Sequence, residues 1–152
     1  MACSDYFLRL LSRREYSASE LLKKGREKGF DPGEIEDAIN ELQQKDYQSD
    51  IRLVNSLIDS SKGKYGKSML KRKCFEKGIS AELFEQVWSE KNESDSTNDL
   101  DDLKNKVMRK YKLDAFQNID PKTKSKLWSY LQYRGFNPYE LLTQWQSEEE
   151  DD

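Results

Sequence analysis

Three stretches of the chain repeat one pattern of apolar and polar positions around a central glycine. The glycines are Gly29, Gly78 and Gly135, and each follows a basic residue and precedes an apolar one. Apolar residues stand eight positions before each glycine and six and ten positions after it: Leu21, Ile35 and Ile39, then Leu70, Phe84 and Trp88, then Leu127, Leu141 and Trp145. Because apolar residues on either side of the glycine recur at helical spacing, the pattern predicts two amphipathic helices joined at the glycine.

The residues around each glycine have the properties of helix ends. A glycine after the last turn adopts the left-handed conformation that closes a helix. Asp31, Ser80 or Asn137 then caps the next helix, and proline follows two of these three caps. Upstream, Ser17, Gly66 and Thr123 hold matching positions, and we expect each to begin the helix that leads to its glycine.

A further apolar helix precedes each of these helix pairs, so the pattern predicts nine helices. We predict an all-α fold of three tandem three-helix repeats, helix-turn-helix-like and stacked into an elongated array. The predicted boundaries are residues 1–48 for repeat 1, 49–90 for repeat 2 and 100–147 for repeat 3. Residues 91–99 form a polar linker, and residues 148–152 form an acidic tail.

Two positions in the repeat are expected to differ in packing. Cys74 and Leu131 stand four residues before their glycines, and Cys74 is predicted to be a small buried apolar residue. Gly25 holds that position in repeat 1. Because glycine supplies no side chain to the core, we expect repeat 1 to be most loosely packed there.

Charge is abundant and unevenly distributed. Charged residues make up 36% of the 152 residues and hydrophobic residues 35%, which suits small cores in series better than one deep core. Residues 62–77 hold seven bases and one acid, and residues 104–112 hold five bases and no acid. Acids concentrate in residues 90–102 and 148–152, although the net charge is only −3. The separation favours a polyanionic partner, while solvated helix faces are the alternative.

The composition argues against catalysis and against a bound cofactor or metal. The chain has no histidine, and its two cysteines form neither a metal-binding motif nor a disulfide framework. Its glycines mark helix ends and form no phosphate-binding loop. No stretch has the length of about 20 apolar residues that a membrane span needs, so we expect a cytoplasmic protein that binds.

Binding of nucleic acid and binding of protein are both compatible with these features. Three-helix units with a basic second helix occur in helix-turn-helix DNA-binding proteins. The cluster is mostly lysine, however, which suits phosphates or an acidic protein surface better than base edges. Tyr65 either stacks on a base or packs at the helix entrance as Tyr16 would. A scaffold for other partners is a third possibility and would require an exposed apolar groove.

Nearly the whole chain resembles the RecX family of regulators of RecA. The resemblance rests on FLRLLSRREYSASELLKK, on DYQSDIR followed by KGKYGKSMLKRKCFEKGIS, and on RKY followed by LWSYLQYRGF. The chain departs from the family pattern at residues 46–50, where Tyr47 and Asp50 match but Gln48 does not. Lys67 replaces a common proline, and Gly25 replaces a usual leucine.

The resemblance implies a curved array of three-helix repeats that binds along the groove of the RecA filament on single-stranded DNA. It implies inhibition of filament growth, ATP hydrolysis, strand exchange and repressor co-cleavage. We expect a monomer that can also bind DNA weakly by itself. From the charge distribution, we expect the filament or DNA contacts to be Arg13, Arg14, Lys64, Lys67, Lys71, Arg72, Lys73, Arg109, Lys110 and Arg134. The alternative is a helix-turn-helix protein that binds DNA without RecA.

Overall fold

A computed structural model describes residues 1–94 and 100–150, and within these ranges all regular secondary structure is helical. Nine helices are present in the described ranges: α1 (Cys3–Leu11), α2 (Ala18–Lys28), α3 (Pro32–Gln44), α4 (Asp50–Ser60), α5 (Lys67–Glu76), α6 (Ala81–Ser94), α7 (Asp101–Tyr111), α8 (Pro121–Tyr133) and α9 (Pro138–Glu150). The predicted all-α class is therefore confirmed.

Two predicted segments extend beyond the described residues. Helix α6 continues to Ser94, so the first part of the predicted linker is helical, and residues 95–99 lie outside the described ranges. Helix α9 continues to Glu150, and residues 151–152 of the predicted acidic tail also lie outside. None of the described helices combines the length and apolarity that crossing a bilayer requires.

The predicted helix ends form largely as expected. Ser17 makes a reciprocal capping box with Glu20, and Asp31 accepts a hydrogen bond from the Gly33 backbone N–H. The side chains of Ser80 and Asn137 accept from backbone N–H groups three residues later. All three repeat glycines have positive φ angles, 91° at Gly29, 78° at Gly78 and 89° at Gly135. Local chemistry thus determines where most of the helices begin and end.

The predicted cap at Thr123 is wrong. Helix α8 begins earlier, at Pro121, and its cap is Asp120, whose side chain accepts a hydrogen bond from the Thr123 N–H. Proline suits the first helical position because it has no N–H to satisfy, and aspartate is a strong cap. The Asp-Pro pair therefore starts α8 before the position that begins α2 or α5.

The chain divides into two compact units, each with its own core. Unit 1 comprises residues 1–58 and 72–94, and unit 2 comprises residues 59–71 and 95–152, so that α5 contributes residues to both. One core cluster lies in unit 1 and consists of Cys3, Phe7, Leu10, Tyr16, Leu21, Ile35, Ala38 and Leu42. A cluster in unit 2 consists of Leu103, Val107, Phe116, Leu127, Leu131, Leu141, Leu142 and Trp145. Phe116 comes from the connection between α7 and α8, and its ring centroid lies 4.9 Å from that of Trp145.

Gly25 is tightly surrounded, so the expected loose packing of repeat 1 is wrong. A Cβ atom added at Gly25 would lie 2.9 Å from the Ile35 side chain and 3.0 Å from the Phe7 ring. These two side chains fill the space next to Gly25. Cys74 itself is fully buried, as predicted, and burial raises the pKa of its thiol to about 11.

Gln48, which departs from the family pattern, is buried with its polar atoms satisfied. Its amide group donates to the Tyr16 carbonyl and to Asp50, and its carbonyl accepts from Gln43. The same Asp50 carboxylate accepts from the Ala18 N–H at the start of α2. A buried amide is tolerated when every polar group has a partner, so the substitution is accommodated within unit 1.

The start of the second helix of one repeat contacts the end of the second helix of the following repeat, and this contact occurs twice. We call it a helix-end joint. In unit 1, the Ser17 hydroxyl donates to the Lys77 carbonyl at 2.5 Å, beside Gly78. In unit 2, the Gly66 N–H donates to the Arg134 carbonyl at 2.7 Å, beside Gly135. The donor is a side-chain hydroxyl in unit 1 and a backbone N–H in unit 2, and in each joint the acceptor is a carbonyl at a helix C-terminus, where the last carbonyls lack intrahelical partners.

Glu20 reinforces the joint of unit 1. Its carboxylate accepts from the Ser17 N–H and lies 3.6 Å from the Lys77 ammonium and 3.4 Å from the Arg14 guanidinium. Burial alone would raise the pKa of this carboxyl group. The hydrogen bond from Ser17 and the two positive charges outweigh burial, so the pKa lies below its usual value.

Candidate functional site

A tight basic turn between α4 and α5 presents lysines at the surface of unit 2. The backbone N–H groups of Lys64 and Tyr65 both donate to the carbonyl of Ser61, whose side chain is buried. Gly63 has a positive φ of 75°, which a residue with a side chain rarely adopts. The turn therefore holds Lys62 and Lys64 on a backbone of defined conformation.

The joint of unit 2 fixes this turn against the end of α8. Besides the bond from Gly66, the Ser68 hydroxyl donates to the Gly135 carbonyl at 2.9 Å. The Arg134 guanidinium donates to the Lys64 carbonyl at 3.2 Å. A Cβ atom at Gly66 would lie only 2.4 Å from the Gly135 carbonyl oxygen, so this approach requires glycine. The lysines of the turn are thus anchored by contacts within unit 2.

A cleft of about 710 Å³ lies between this turn and α7, and we call it the basic cleft. Residues 62–64 form one wall, and Asp102, Asn105, Lys106 and Arg109 line the other. The α7 residues are spaced at i, i+3, i+4 and i+7, which places them on one face of the helix. The opposite face of α7 is buried through Leu103 and Val107, so core packing orients the cleft face outward.

The basic cleft carries a concentrated positive charge. Four bases line it, Lys62, Lys64, Lys106 and Arg109, against one acid, Asp102. Lys62 also approaches Asp59 at 4.0 Å, a separation at the limit of an ion pair. Clefts lined by one sign of charge focus the electrostatic field and raise the local concentration of an oppositely charged ligand. This arrangement favours an anionic ligand with several charges.

A second group of bases lies against tyrosine rings in unit 2. The Arg134 guanidinium lies 4.8 Å from the Tyr130 ring centroid and 6.0 Å from that of Tyr65. The Lys110 ammonium lies 5.2 Å from the Tyr130 centroid and 5.8 Å from that of Tyr111. Burial, and then the neighbouring Tyr130, raise the pKa of Tyr111. Arg134 and Lys110 therefore have partners within unit 2. Tyr65 is half-buried, whereas Tyr16 is buried.

The ten predicted contact residues are distributed over both units. Lys64 and Arg109 meet in the basic cleft, and Lys110 and Arg134 meet at the tyrosines. Lys67 and Lys71 belong to the part of α5 in unit 2, whereas Arg72 and Lys73 belong to the part in unit 1. Of these four, Lys67 and Arg72 are exposed, and Lys71 and Lys73 are half-buried.

The two predicted arginines after α1 differ in their surroundings. Arg13 is exposed, and its backbone N–H donates to the Leu10 carbonyl. The Arg14 guanidinium lies 3.6 Å from the Tyr16 ring centroid and donates to the Glu15 carbonyl and to Glu20. Arg14 thus has a clear role in holding unit 1 together.

Sequence reasoning missed Lys62, Asn105 and Lys106 as members of one site. The sequence shows Lys62 and Lys106 as basic residues. The helical spacing of Asn105, Lys106 and Arg109 could also have placed these three residues on one face of α7. What no spacing could indicate was that the turn at residues 62–64 lies across from them, because about forty residues of chain separate the two walls.

The predicted acidic tail begins with residues that make structural contacts. Glu148 binds the Lys104 ammonium at 3.0 Å, and hydrogen bonds from Lys104 and Gln144 lower its pKa. Glu149 accepts from the Phe116 N–H at 2.7 Å. These two glutamates therefore connect the end of α9 to α7 and to the α7–α8 connection.

The described residues thus define an all-helical repeat protein with a basic cleft. Comparisons with known proteins make the assignment more specific. Residues 3–42 match the family profile described as RecX, first three-helix domain. The chain is similar to the regulatory protein RecX of Haemophilus influenzae, strain Rd, at 35% identity over 95% of both chains. It is 36% identical to that of Mannheimia succiniciproducens, over 87% of this chain and 84% of the relative.

A crystal structure of RecX from Lactobacillus salivarius shares the fold. Its TM-score is 0.73 at 20% identity, and the superposition covers 95% of this chain and 94% of the other. A second RecX crystal structure gives a TM-score of 0.72 at 16% identity, over 93% and 71% of the two chains. The chain belongs to the RecX family of regulatory proteins. Its recognition from sequence motifs is confirmed, and the name of its relatives is that of regulators rather than enzymes.

Proposed function

We propose that this protein binds the RecA filament on single-stranded DNA and inhibits its recombinase, ATPase and co-protease activities. The basic cleft is the observation that carries the proposal, because it supplies cations for a partner rich in phosphate and acidic groups. Membership of the RecX family supports RecA as that partner. Action on such filaments would take place in the cytoplasm, with the protein as a monomer.

The division of the chain into repeats supports binding to a polymeric partner. Contacts made by separate repeats add through effective concentration, so that several weak contacts give strong binding. The contact set remains the ten residues predicted from sequence, and the basic cleft adds Lys62 and Lys106 to it. Within the set, Arg14 and Arg134 also hold the fold together, so their substitution would not test binding alone.

Charge reversal in the basic cleft tests the proposal. A variant with Lys64→Glu and Arg109→Glu should bind RecA filaments on single-stranded DNA more weakly and inhibit their ATPase less. The matched control reverses Lys122 and Lys124, two exposed lysines of α8 outside the contact set. Unchanged binding by the cleft variant, with its circular dichroism spectrum intact, would remove the basic cleft from the interface. A parallel reversal of Lys67, Lys71 and Lys73 tests α5 in the same assay.

The second candidate function is binding of DNA without RecA, in the manner of helix-turn-helix proteins. The four bases of the basic cleft support this candidate, because contacts with phosphates dominate the affinity of proteins for DNA. This candidate predicts salt-sensitive binding to naked duplex DNA and no effect on RecA. The first candidate predicts at most weak binding to DNA alone.

A further inference from the structure

We propose that the C-terminal end of α2 is a docking site for a helix of a partner protein, one that begins with serine or threonine and carries glutamate three residues later. The two helix-end joints use the ends of the second helices in repeats 2 and 3, beside Gly78 and Gly135. In the described part of the chain, the equivalent end at Gly29 makes no such contact. A Cβ atom added at Gly29 would meet no atom within 4 Å, whereas one at Gly78 would meet the Ser19 side chain.

The end of α2 is closed by the same hydrogen bonds as the two helix ends that form joints. The Gly29 N–H donates to the Arg26 carbonyl, and the Phe30 N–H donates to the Gly25 carbonyl. Corresponding bonds close α5 and α8. The residue before each glycine supplies an acceptor of the joint, and in α2 this residue is Lys28. Among the residues that the structure describes, none donates to the Lys28 carbonyl, so a donor from another molecule can bind it.

The joint of unit 1 indicates what a partner of this end must contain. There the Ser17 hydroxyl donates to the Lys77 carbonyl, and the carboxylate of Glu20 lies 3.6 Å from the Lys77 ammonium. Lys28 stands at the position of Lys77 in the repeat and is exposed. The same two groups on another helix would therefore bind its carbonyl and its ammonium. The required feature is a helix start with serine or threonine as the cap and glutamate three residues later, which is the sequence of a capping box.

The charges around the end of α2 favour a helix start with an acidic first turn. Residues 24–28 contain three bases, Lys24, Arg26 and Lys28, and one acid, Glu27, and all four are exposed. The C-terminus of a helix carries a partial negative charge, which attracts the positive N-terminus of a second helix. Glutamate in the first turn of that second helix can at the same time pair with the bases. Both electrostatic effects act in the same direction.

Two aromatic rings provide an apolar surface beside the end of α2. The ring centroids of Tyr6 and Phe30 lie 5.9 Å apart, and both residues are half-buried. The Lys28 ammonium lies 5.5 Å from the Tyr6 centroid, so it is held beside these rings. An apolar residue near the start of the partner helix can pack on their exposed part.

A second copy of this chain is a poorer occupant than a different protein. The start of its α8 would continue the series of joints, because α8 follows α2 and α5 as the second helix of a repeat. That start has no acid in its first turn. It also carries exposed lysines, namely Lys122, Lys124 and Lys126. These lysines would face the bases of α2, and like charges that face each other weaken an interface.

NMR spectra of the isotope-labelled full chain test the site with a peptide probe, in the absence of RecA. The probe is a helical, alanine-rich peptide of about 18 residues, which starts with the sequence of residues 17–20, Ser-Ala-Ser-Glu. We expect the amide signals of Lys28, Gly29 and Phe30 to shift as the peptide is added. A control peptide with alanine for the first serine and glutamine for the glutamate should bind about tenfold more weakly, because it lacks one hydrogen bond and one ion pair.

Two variants of the protein test the role of Lys28. Lys28→Glu should weaken binding of the probe about tenfold, because an attraction becomes a repulsion. Lys23→Glu is the matched control, since Lys23 is an exposed lysine of the same helix that lies outside residues 24–28. It changes the net charge equally and should leave the affinity nearly unchanged. If both variants weaken binding equally, the effect comes from net charge, and the end of α2 is not the site.

The remaining outcomes separate the possible occupants. An absence of shifts at Gly29 at a millimolar peptide concentration overturns the proposal, as does equal binding of the two peptides. If the same signals shift with the concentration of the protein alone, a second copy is the occupant and the proposed partner is wrong. The cleft variant Lys64→Glu with Arg109→Glu should bind the probe normally. Because neither RecA nor the basic cleft takes part, a failure here is separate from a failure of the proposed function.

Discussion

The three repeat glycines all have positive φ angles but different surroundings, and this difference allows a test of the helix-end joints. The φ angle is 91° at Gly29 and 89° at Gly135. A Cβ atom at Gly29 would have no atom within 4 Å, whereas one at Gly135 would lie 2.5 Å from the Met69 backbone nitrogen and 2.6 Å from the Met69 Cβ. Alanine at Gly29 therefore reports backbone strain alone, and alanine at Gly135 reports strain plus disruption of the joint.

The two costs can be estimated separately. An L-residue in the left-handed conformation costs about 1–2 kcal/mol, and this applies to both variants. At Gly135, the added methyl group must also push the start of α5 away, and overpacking of this kind costs about 1–3 kcal/mol. The bonds from Gly66 and Ser68 to the end of α8 would lengthen at the same time. We expect Gly135→Ala to be less stable than Gly29→Ala by about 1–3 kcal/mol.

Urea unfolding followed by circular dichroism and by tryptophan fluorescence measures the difference. The two probes are needed because the chain divides into two units, which need not unfold together. Equal losses of unfolding free energy in the two variants would show that the contact at Gly135 contributes nothing. A larger loss at Gly29 would contradict the assignment of the joint altogether.

Three further outcomes concern residues of unit 1. Gly25→Ala should destabilise the protein by up to about 2 kcal/mol in the same urea assay, because overpacking against Ile35 costs about 1–3 kcal/mol and the helix propensity of alanine offsets about 1 kcal/mol of that cost. Cys74 should react with iodoacetamide at pH 8 only when the protein unfolds, and rapid labelling of the native protein would contradict its burial and raised pKa. The lowered pKa of Glu20 contributes stability above its unfolded pKa of about 4.3, and this is lost as the pH falls through the folded value. Thermal unfolding of Glu20→Gln should depend less on pH in that range, and an unchanged dependence would exclude this role.

Local sequence chemistry accounts for most of the fold. The leucines eight residues before the glycines, Leu21, Leu70 and Leu127, are all at most 2% exposed. The caps at Ser17, Asp31, Ser80 and Asn137 were identifiable because a side chain bonds a backbone group only two or three residues away. The prediction of a cap at Thr123 was wrong for an equally local reason, because the Asp-Pro pair before it is the stronger helix start.

Features that depend on distant parts of the chain could not be predicted. The packing around Gly25 depends on Phe7 and Ile35, which fill the space that a local comparison of repeats leaves empty. The basic cleft requires the turn at residues 62–64 to meet α7, and the contacts that fix this turn lie near Arg134. The charge distribution along the sequence predicted that basic residues make the contacts, but only the tertiary structure shows which of these residues face one another.

The most direct test of the proposed function is the ATPase rate of RecA on single-stranded DNA, titrated with this protein. We predict inhibition at well below one copy per RecA subunit, because a regulator that blocks filament growth acts on many subunits at once. The cleft variant Lys64→Glu with Arg109→Glu should need a higher concentration for the same effect. A folded protein that leaves the ATPase rate unchanged at every ratio, while binding DNA in a salt-dependent manner, would contradict the proposal and favour direct DNA binding.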